Sequence, residues 1–185
     1  MIVYRICKAK YAKAAFSGAG GLESPGRWHR KGQLIVYAAS TLSLAALEYF
    51  VHLGRTDSKI AFVVVHAIIA DDLAMDVVDP ASLPKDWNSS PPIDATMDFG
   101  TQWCLDVRGV VIKVPSAVVQ GEFNYLLNPQ HPDFKLIKIS TPERFSFVHA
   151  PPPSAMNRIK KTSISSRPSV SAAQTPRTDL PPRWL

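Results

Sequence analysis

The chain is poor in cysteine, in long apolar runs and in the glycine signatures of nucleotide loops, and each shortage closes off a class of protein. Cys7 and Cys104 are far apart, which leaves no disulfide framework and no C-x-x-C metal or redox pair. His52, His66, His131 and His149 are scattered, so no metal-ligand cluster is visible and metal-independent chemistry is the expectation. The longest apolar run, Ile60 to Ala70, is interrupted by His66 and falls short of the ~20 residues that span a bilayer. The start, MIVYRICKAK, lacks the apolar core of a secretory signal. A cytoplasmic protein without membrane contact is expected. Neither a Gly-x-Gly-x-x-Gly nor a Walker loop occurs, which argues against Rossmann and P-loop sites. Gly18-Ala19-Gly20-Gly21 has no clear strand before it or helix after it, and reads as a flexible loop.

What is present divides into two parts. The 185 residues are 46% hydrophobic, enough for one domain of ordinary size, expected over 1–150. Residues 151–185 hold six Lys/Arg against one acid, Asp179, and seven of the 16 prolines. That composition buries too little apolar surface to offset its ordering entropy, so a disordered basic tail is expected. The tail carries most of the chain's net charge of +6, and that charge says little about what the body binds.

Strands are expected near Ile2–Ile6, Leu34–Ala38, Lys59–Ile69, Val110–Val114, Leu136–Ser140 and Arg144–Val148. The clearest helix is Ser43–Leu53, with Ser40 or Thr41 as its cap, and a second helical piece is expected over Asp98–Leu105. Pro80, Pro84, Pro91 and Pro92 make the stretch up to Asp94 a loop or short-helix excursion. Strands and helices do not alternate regularly, so an α+β domain with a curved mixed sheet or sandwich and flanking helices is favoured over a doubly wound sheet.

Ser24 to His52 holds the unusual side chains. Leu44, Leu47 and Val51 recur at helical spacing, and Glu48 falls on that stripe. A carboxylate is rarely buried unless paired, because its desolvation costs several kcal/mol. Glu48 is therefore either a boundary residue reaching water or a functional acid. Arg27 sits in a loop between Gly26 and Gly32, where a guanidinium is either a solvated charge or a two-pronged phosphate ligand. Tyr37, on the strand that follows, would ordinarily be a core or edge aromatic.

Taken together, GRW-x-x-x-G from Gly26, then Val36-Tyr37, then Ala46-Leu47-Glu48 resemble the RES-domain toxins of bacterial toxin–antitoxin pairs. The likeness continues through Gly100-x-x-Trp103, VVIKVPSAVV and Glu122 to Phe134, and spans about 1–148. The residues that name the family fall on Arg27, Glu48 and Ser116, and the family's usual asparagine after GRW is His29 here. The resemblance implies a fold similar to ADP-ribosyltransferases, with NAD⁺ as substrate and no metal. It implies that Glu48 stabilises an oxocarbenium-like transition state or places the ribose hydroxyls, and that Arg27 binds phosphate. By the same likeness Tyr37 packs on nicotinamide, and Ser116 bonds the ribose or carboxamide. Asn124 either orients these groups or stabilises a turn. The implied activity is NAD⁺ phosphorolysis or hydrolysis, with protein ADP-ribosylation as the alternative. The implied partner is an antitoxin with a helix-turn-helix region that blocks the site in a hetero-oligomeric complex. A non-enzymatic nucleic-acid module using the basic tail is the remaining reading, although direct nucleic-acid contact is not expected of the folded body.

Overall fold

The computed structural model describes residues 1–51 and 60–146. Met1–Ser146 forms one compact unit; a second, Phe147–Leu185, lies wholly outside the described residues. The expected tail falls there, as do His52, Leu53, Lys59 and the end of the last expected strand.

Among the described residues eight strands form one mixed sheet: β1 (Ile2–Lys8), β2 (Val36–Ala39), β3 (Phe62–Ile68), β4 (Met75–Val77), β5 (Val111–Pro115), β6 (Phe123–Leu127), β7 (Lys138–Ile139) and β8 (Glu143–Phe145). Their order is β4-β5-β6-β2-β1-β3-β7, and β8 also pairs with β3. Only β4 and β5 run parallel, joined through helix α3 (Asp94–Leu105), as a parallel pair requires a crossover. β1 and β2 share a single register pair, Tyr4↔Ala39, whereas β1 and β3 pair along their full length. The sheet curls into a half-barrel, which meets the α+β expectation with one curved sheet rather than a sandwich.

Period-two alternation in β2, β5 and β6 sends side chains to opposite faces. Val36, Ala38, Val111, Tyr125 and Leu127 enter the main core with Val3 and Val65. Ile112, Val114 and Leu126 join Trp28 and Trp103 on the other face. Each buried aliphatic of this kind contributes roughly 1.5–3 kcal/mol relative to exposure. Trp103 keeps its indole N–H satisfied by donating to Asp76 Oδ2 at 2.7 Å, which ties α3 to β4. Asn128, fully buried, donates to the Cys104 carbonyl at 3.0 Å and joins the end of α3 to the segment after β6.

Several expectations shift. Helix α2 runs Leu42–Phe50, and Thr41 caps it by accepting from Leu44 N at 3.0 Å. Its buried face is Leu44 and Ala45 with partly buried Ala46 and Tyr49; Leu47 and Val51 are exposed. The small alanines let the helix lie close on β1 and β2, and that turns the bulkier aliphatics outward. Helix α3 begins four residues before the expected Asp98, and Pro132–Leu136 forms a 3₁₀ turn, so strand pairing starts at Lys138. Residues 20–23 form α1, one helical turn in place of the expected flexible loop. Gly21 is buried there: a Cβ at that position would stand 2.1 Å from the Gln33 carbonyl oxygen. Strands β4 and β6 were not expected. Among the described residues no helix is long and apolar enough to cross a membrane.

Candidate active site

The sheet register brings the site together. Ala39, Asn124 and Val114 stand in one row across β2, β6 and β5, so their side chains share a face. Tyr37, two residues from Ala39, lies on that same face, paired with Leu126. Helix α2 delivers Glu48 to it, and Ser116 follows β5 directly.

Glu48 is half-buried and held from two sides. Ser116 Oγ donates to its Oε1 at 2.7 Å, and Asn124 Nδ2 donates to the same oxygen at 2.6 Å. Its second oxygen takes no hydrogen bond among the described residues, so one edge is fixed and the other is open. A hydroxyl offers one proton and two lone pairs, and Ser116 uses all three. It accepts from Val118 N and Val119 N, each at 3.1 Å, and sends its proton to Glu48. Ser116 thus holds the Glu48 carboxylate against the turn that follows β5. Asn124 lies on strand β6 and bonds Glu48, which removes the reading of a turn-stabilising amide.

Arg27 lies in the turn closed by the Gly26↔His29 bridge and is half-buried. Its Nη1 donates to the Trp87 carbonyl at 2.7 Å and the Ser89 carbonyl at 2.9 Å. Both Nη1 protons are so engaged, and the Nε–Nη2 edge, the one that matches two phosphate oxygens, has no partner among the described residues. Burial pulls the Arg27 pKa down, while the neighbouring Glu48 carboxylate and Tyr37 act in the opposite direction. Arg27, Glu48 and Tyr37 therefore share one electrostatic neighbourhood.

Tyr37 and His29 lock the loop that carries Arg27. The Tyr37 hydroxyl accepts from Trp28 N at 3.0 Å and meets His29 Nδ1 at 2.8 Å. His29 Nε2 lies 3.1 Å from the Ser24 carbonyl, which can only accept, so Nε2 carries the imidazole proton. Nδ1 then accepts the Tyr37 proton. Burial, above all, drives the Tyr37 pKa well above the ordinary phenol value, and burial lowers that of His29. Beneath them Arg5 donates to the Tyr37 carbonyl at 2.7 Å, and its Nε is buried without a partner among the described residues.

All five expected residues lie in this region: Glu48, Ser116 and Asn124 are directly bonded, and Arg27 and Tyr37 stand beside them. Sequence reasoning missed Arg5 and the segment around Trp87, which act on main-chain carbonyls or through their own. A cleft of about 460 Å³ opens elsewhere, between α3 and residues 76–84, lined by Asp76, Leu83, Thr96, Phe99 and Trp103. None of the five lines it. Among the described residues no three His, Cys, Asp or Glu side chains cluster as metal ligands would.

Comparison with known proteins bears on the family and the fold. A family model described as the RES domain matches residues 2–148. A protein named Toxin Res from Photorhabdus laumondii is 38% identical over 147 residues, covering 80% of this chain and 93% of its own length. A Sphingobium protein named Prs ADP-ribosylating toxin is also 38% identical, over 69% of this chain and 81% of its own length. The fold is similar to that in the M. tuberculosis MbcT-MbcA toxin–antitoxin complex, with a TM-score of 0.63 at 15% identity over 86% of this chain and 88% of that one. The family match over residues 2–148 and the 38% identity to a named Res toxin across most of both chains place this chain in the RES-domain toxin family.

Proposed function

We propose that the chain cleaves NAD⁺ at the bond between nicotinamide and ribose. The observation that carries this reading is Glu48, gripped through one oxygen by Ser116 and Asn124 with the other left open beside a half-buried arginine. When the C1′–N bond breaks, its electron pair leaves with nicotinamide and positive charge develops on the ribose. A carboxylate already fixed in place stabilises that charge without reorganising, which is where most electrostatic catalysis originates. The open Nε–Nη2 edge of Arg27 takes the pyrophosphate, and the half-buried Tyr37 ring packs near the nicotinamide end. Water or phosphate then captures C1′. Ser116 and Asn124 serve as positioning residues for Glu48.

The test is to incubate purified protein with NAD⁺, with and without phosphate, and identify products by mass. Nicotinamide should appear together with ADP-ribose or its 1″-phosphate, and Glu48→Gln and Arg27→Ala should each suppress it by at least 100-fold. Folded variants with full activity would overturn the assignment.

A second reading is favoured by the Sphingobium relative, whose name marks it as ADP-ribosylating. The same bond breaks first, and a protein nucleophile captures C1′. A discrete labelled band from labelled NAD⁺ in lysate, without loss of bulk NAD⁺, would select it. The partner proposed under either reading is an antitoxin with a helix-turn-helix region, as MbcT is held with MbcA. An acidic or carboxylate-ended segment of such a partner would block the site by pairing with the open edge of Arg27.

A further inference from the structure

We infer that Trp87 is the positioning residue that holds Arg27 in its phosphate-binding orientation; this rests on the reading of Arg27 given above. Among the described residues the guanidinium makes no hydrogen bond or ion pair with a carboxylate. It is anchored instead by two carbonyls of one loop, those of Trp87 and Ser89. Two acceptors on a single nitrogen fix the plane of the group, and they turn its Nε–Nη2 edge away from that loop. The orientation of the arginine is therefore only as firm as residues 84–91.

Short local bonds shape this loop: Trp87 N donates to the Pro84 carbonyl at 3.0 Å, Ser89 N to the Asp86 carbonyl at 2.9 Å, and Ser89 Oγ to the Pro91 carbonyl at 3.0 Å. Those bonds shape it without fixing it to the body. Lys85, Asp86, Asn88 and Ser90 are exposed. Trp87 is the side chain of this stretch that packs on the apolar cluster around Trp103. It stacks on Trp28 at 6.0 Å between ring centroids and 29° between planes, and Trp28 is itself 2% exposed and meets Phe99 edge-on at 6.2 Å. Trp28 is the next residue after Arg27. The stack thus grips both ends of one short circuit: it holds the Trp28 ring beside the arginine's backbone, and through Trp87 it holds the carbonyls that receive the arginine's side chain. An arginine so preorganised loses little freedom on meeting a phosphate, and preorganisation of this kind appears as affinity.

The experiment compares the full chain with Trp87→Ala, Trp87→Phe, Arg27→Ala and the Arg27→Ala/Trp87→Ala double variant. It reads kcat and KM for NAD⁺, and the dissociation constant of ADP-ribose, which carries both phosphates and no scissile nicotinamide bond. Trp87→Ala should raise KM and weaken ADP-ribose by on the order of ten-fold while kcat changes by less than about three-fold, the pattern of lost uniform binding. Trp87→Phe, which restores an aromatic face, should recover most of the affinity. The double variant should bind no more weakly than Arg27→Ala alone, because a residue that acts through the arginine adds nothing once the arginine is gone. Independent, multiplying losses in the double variant would overturn the proposal, as would a fall in kcat at unchanged KM. Should Trp87→Ala fail to fold by circular dichroism, Trp87→Leu makes the same comparison with apolar bulk retained. Unchanged ADP-ribose affinity in Arg27→Ala would overturn instead the phosphate role of Arg27, a result separable from any result at Trp87.

Discussion

Asn124, at the second position of β6, donates to Glu48 Oε1 at 2.6 Å across 76 residues of sequence. The amide is part of a sheet and the carboxylate part of a helix, so the bond fixes the helix's functional end against the strand. Replacing Asn124 with Ala removes one of the two donors on that oxygen. The expected result is a fall in kcat of about 10²-fold with KM for NAD⁺ changed by less than about three-fold, measured by nicotinamide release. Asn124→Asp should be more damaging, since it sets a second acceptor against the first. If KM rises and kcat holds, Asn124 contacts substrate directly and does not position Glu48.

His29 makes the arginine loop sensitive to acid. Burial is the main cause of its lowered pKa, so the unfolded chain takes up a proton more readily than the folded one. Its contribution to stability is full above the ordinary value of 6.5 and is lost progressively as pH falls below it, until the folded form also protonates. Protonation also puts a proton on Nδ1, where the Tyr37 hydroxyl now donates. Thermal melts between pH 8 and pH 5 should show a steeper loss of Tm in the parent than in His29→Asn. Parallel curves would show that His29 does not titrate in this loop.

Gly100 admits no side chain. A Cβ there would stand 1.9 Å from the Trp28 carbonyl oxygen, so α3 lies directly against the backbone of the arginine loop. Gly100→Ala must push the helix and loop apart. The expected cost is about 1–3 kcal/mol, which lowers Tm by on the order of 5–10 °C in a calorimetric scan. An unchanged Tm would mean that the loop yields freely, and then ADP-ribose affinity should fall as Trp28 carries Arg27 with it.

Much of this arrangement was legible before the structure, because side-chain chemistry leaves marks in sequence. An acid among aliphatics and an arginine between glycines were both visible. The helix face was misjudged because Leu47 and Val51 outweigh Ala45 in any apolar count, although close packing selected the alanine. Strand β6 was hidden because FNYLL is covered on both faces in mid-sheet and shows no clean alternation. The supports of Arg27 left no mark at all. Carbonyl oxygens are identical at every residue, and nothing in the sequence says that those of Trp87 and Ser89 point at a guanidinium.

The single row Ala39–Asn124–Val114 has a consequence for how the protein is made. β6 stands between β2 and β5, so β2 gains its partner on that side only after residue 127 has been synthesised. Chain growth at about 5–20 residues per second puts roughly 4–15 s between the appearance of Glu48 and that of Asn124. During that interval the growing polypeptide contains Arg27, Tyr37 and Glu48 and lacks the frame that aims them. Loop closures of this span fold late. A chain cut short before β6 therefore keeps the Glu48 carboxylate and loses the Asn124 amide that holds it.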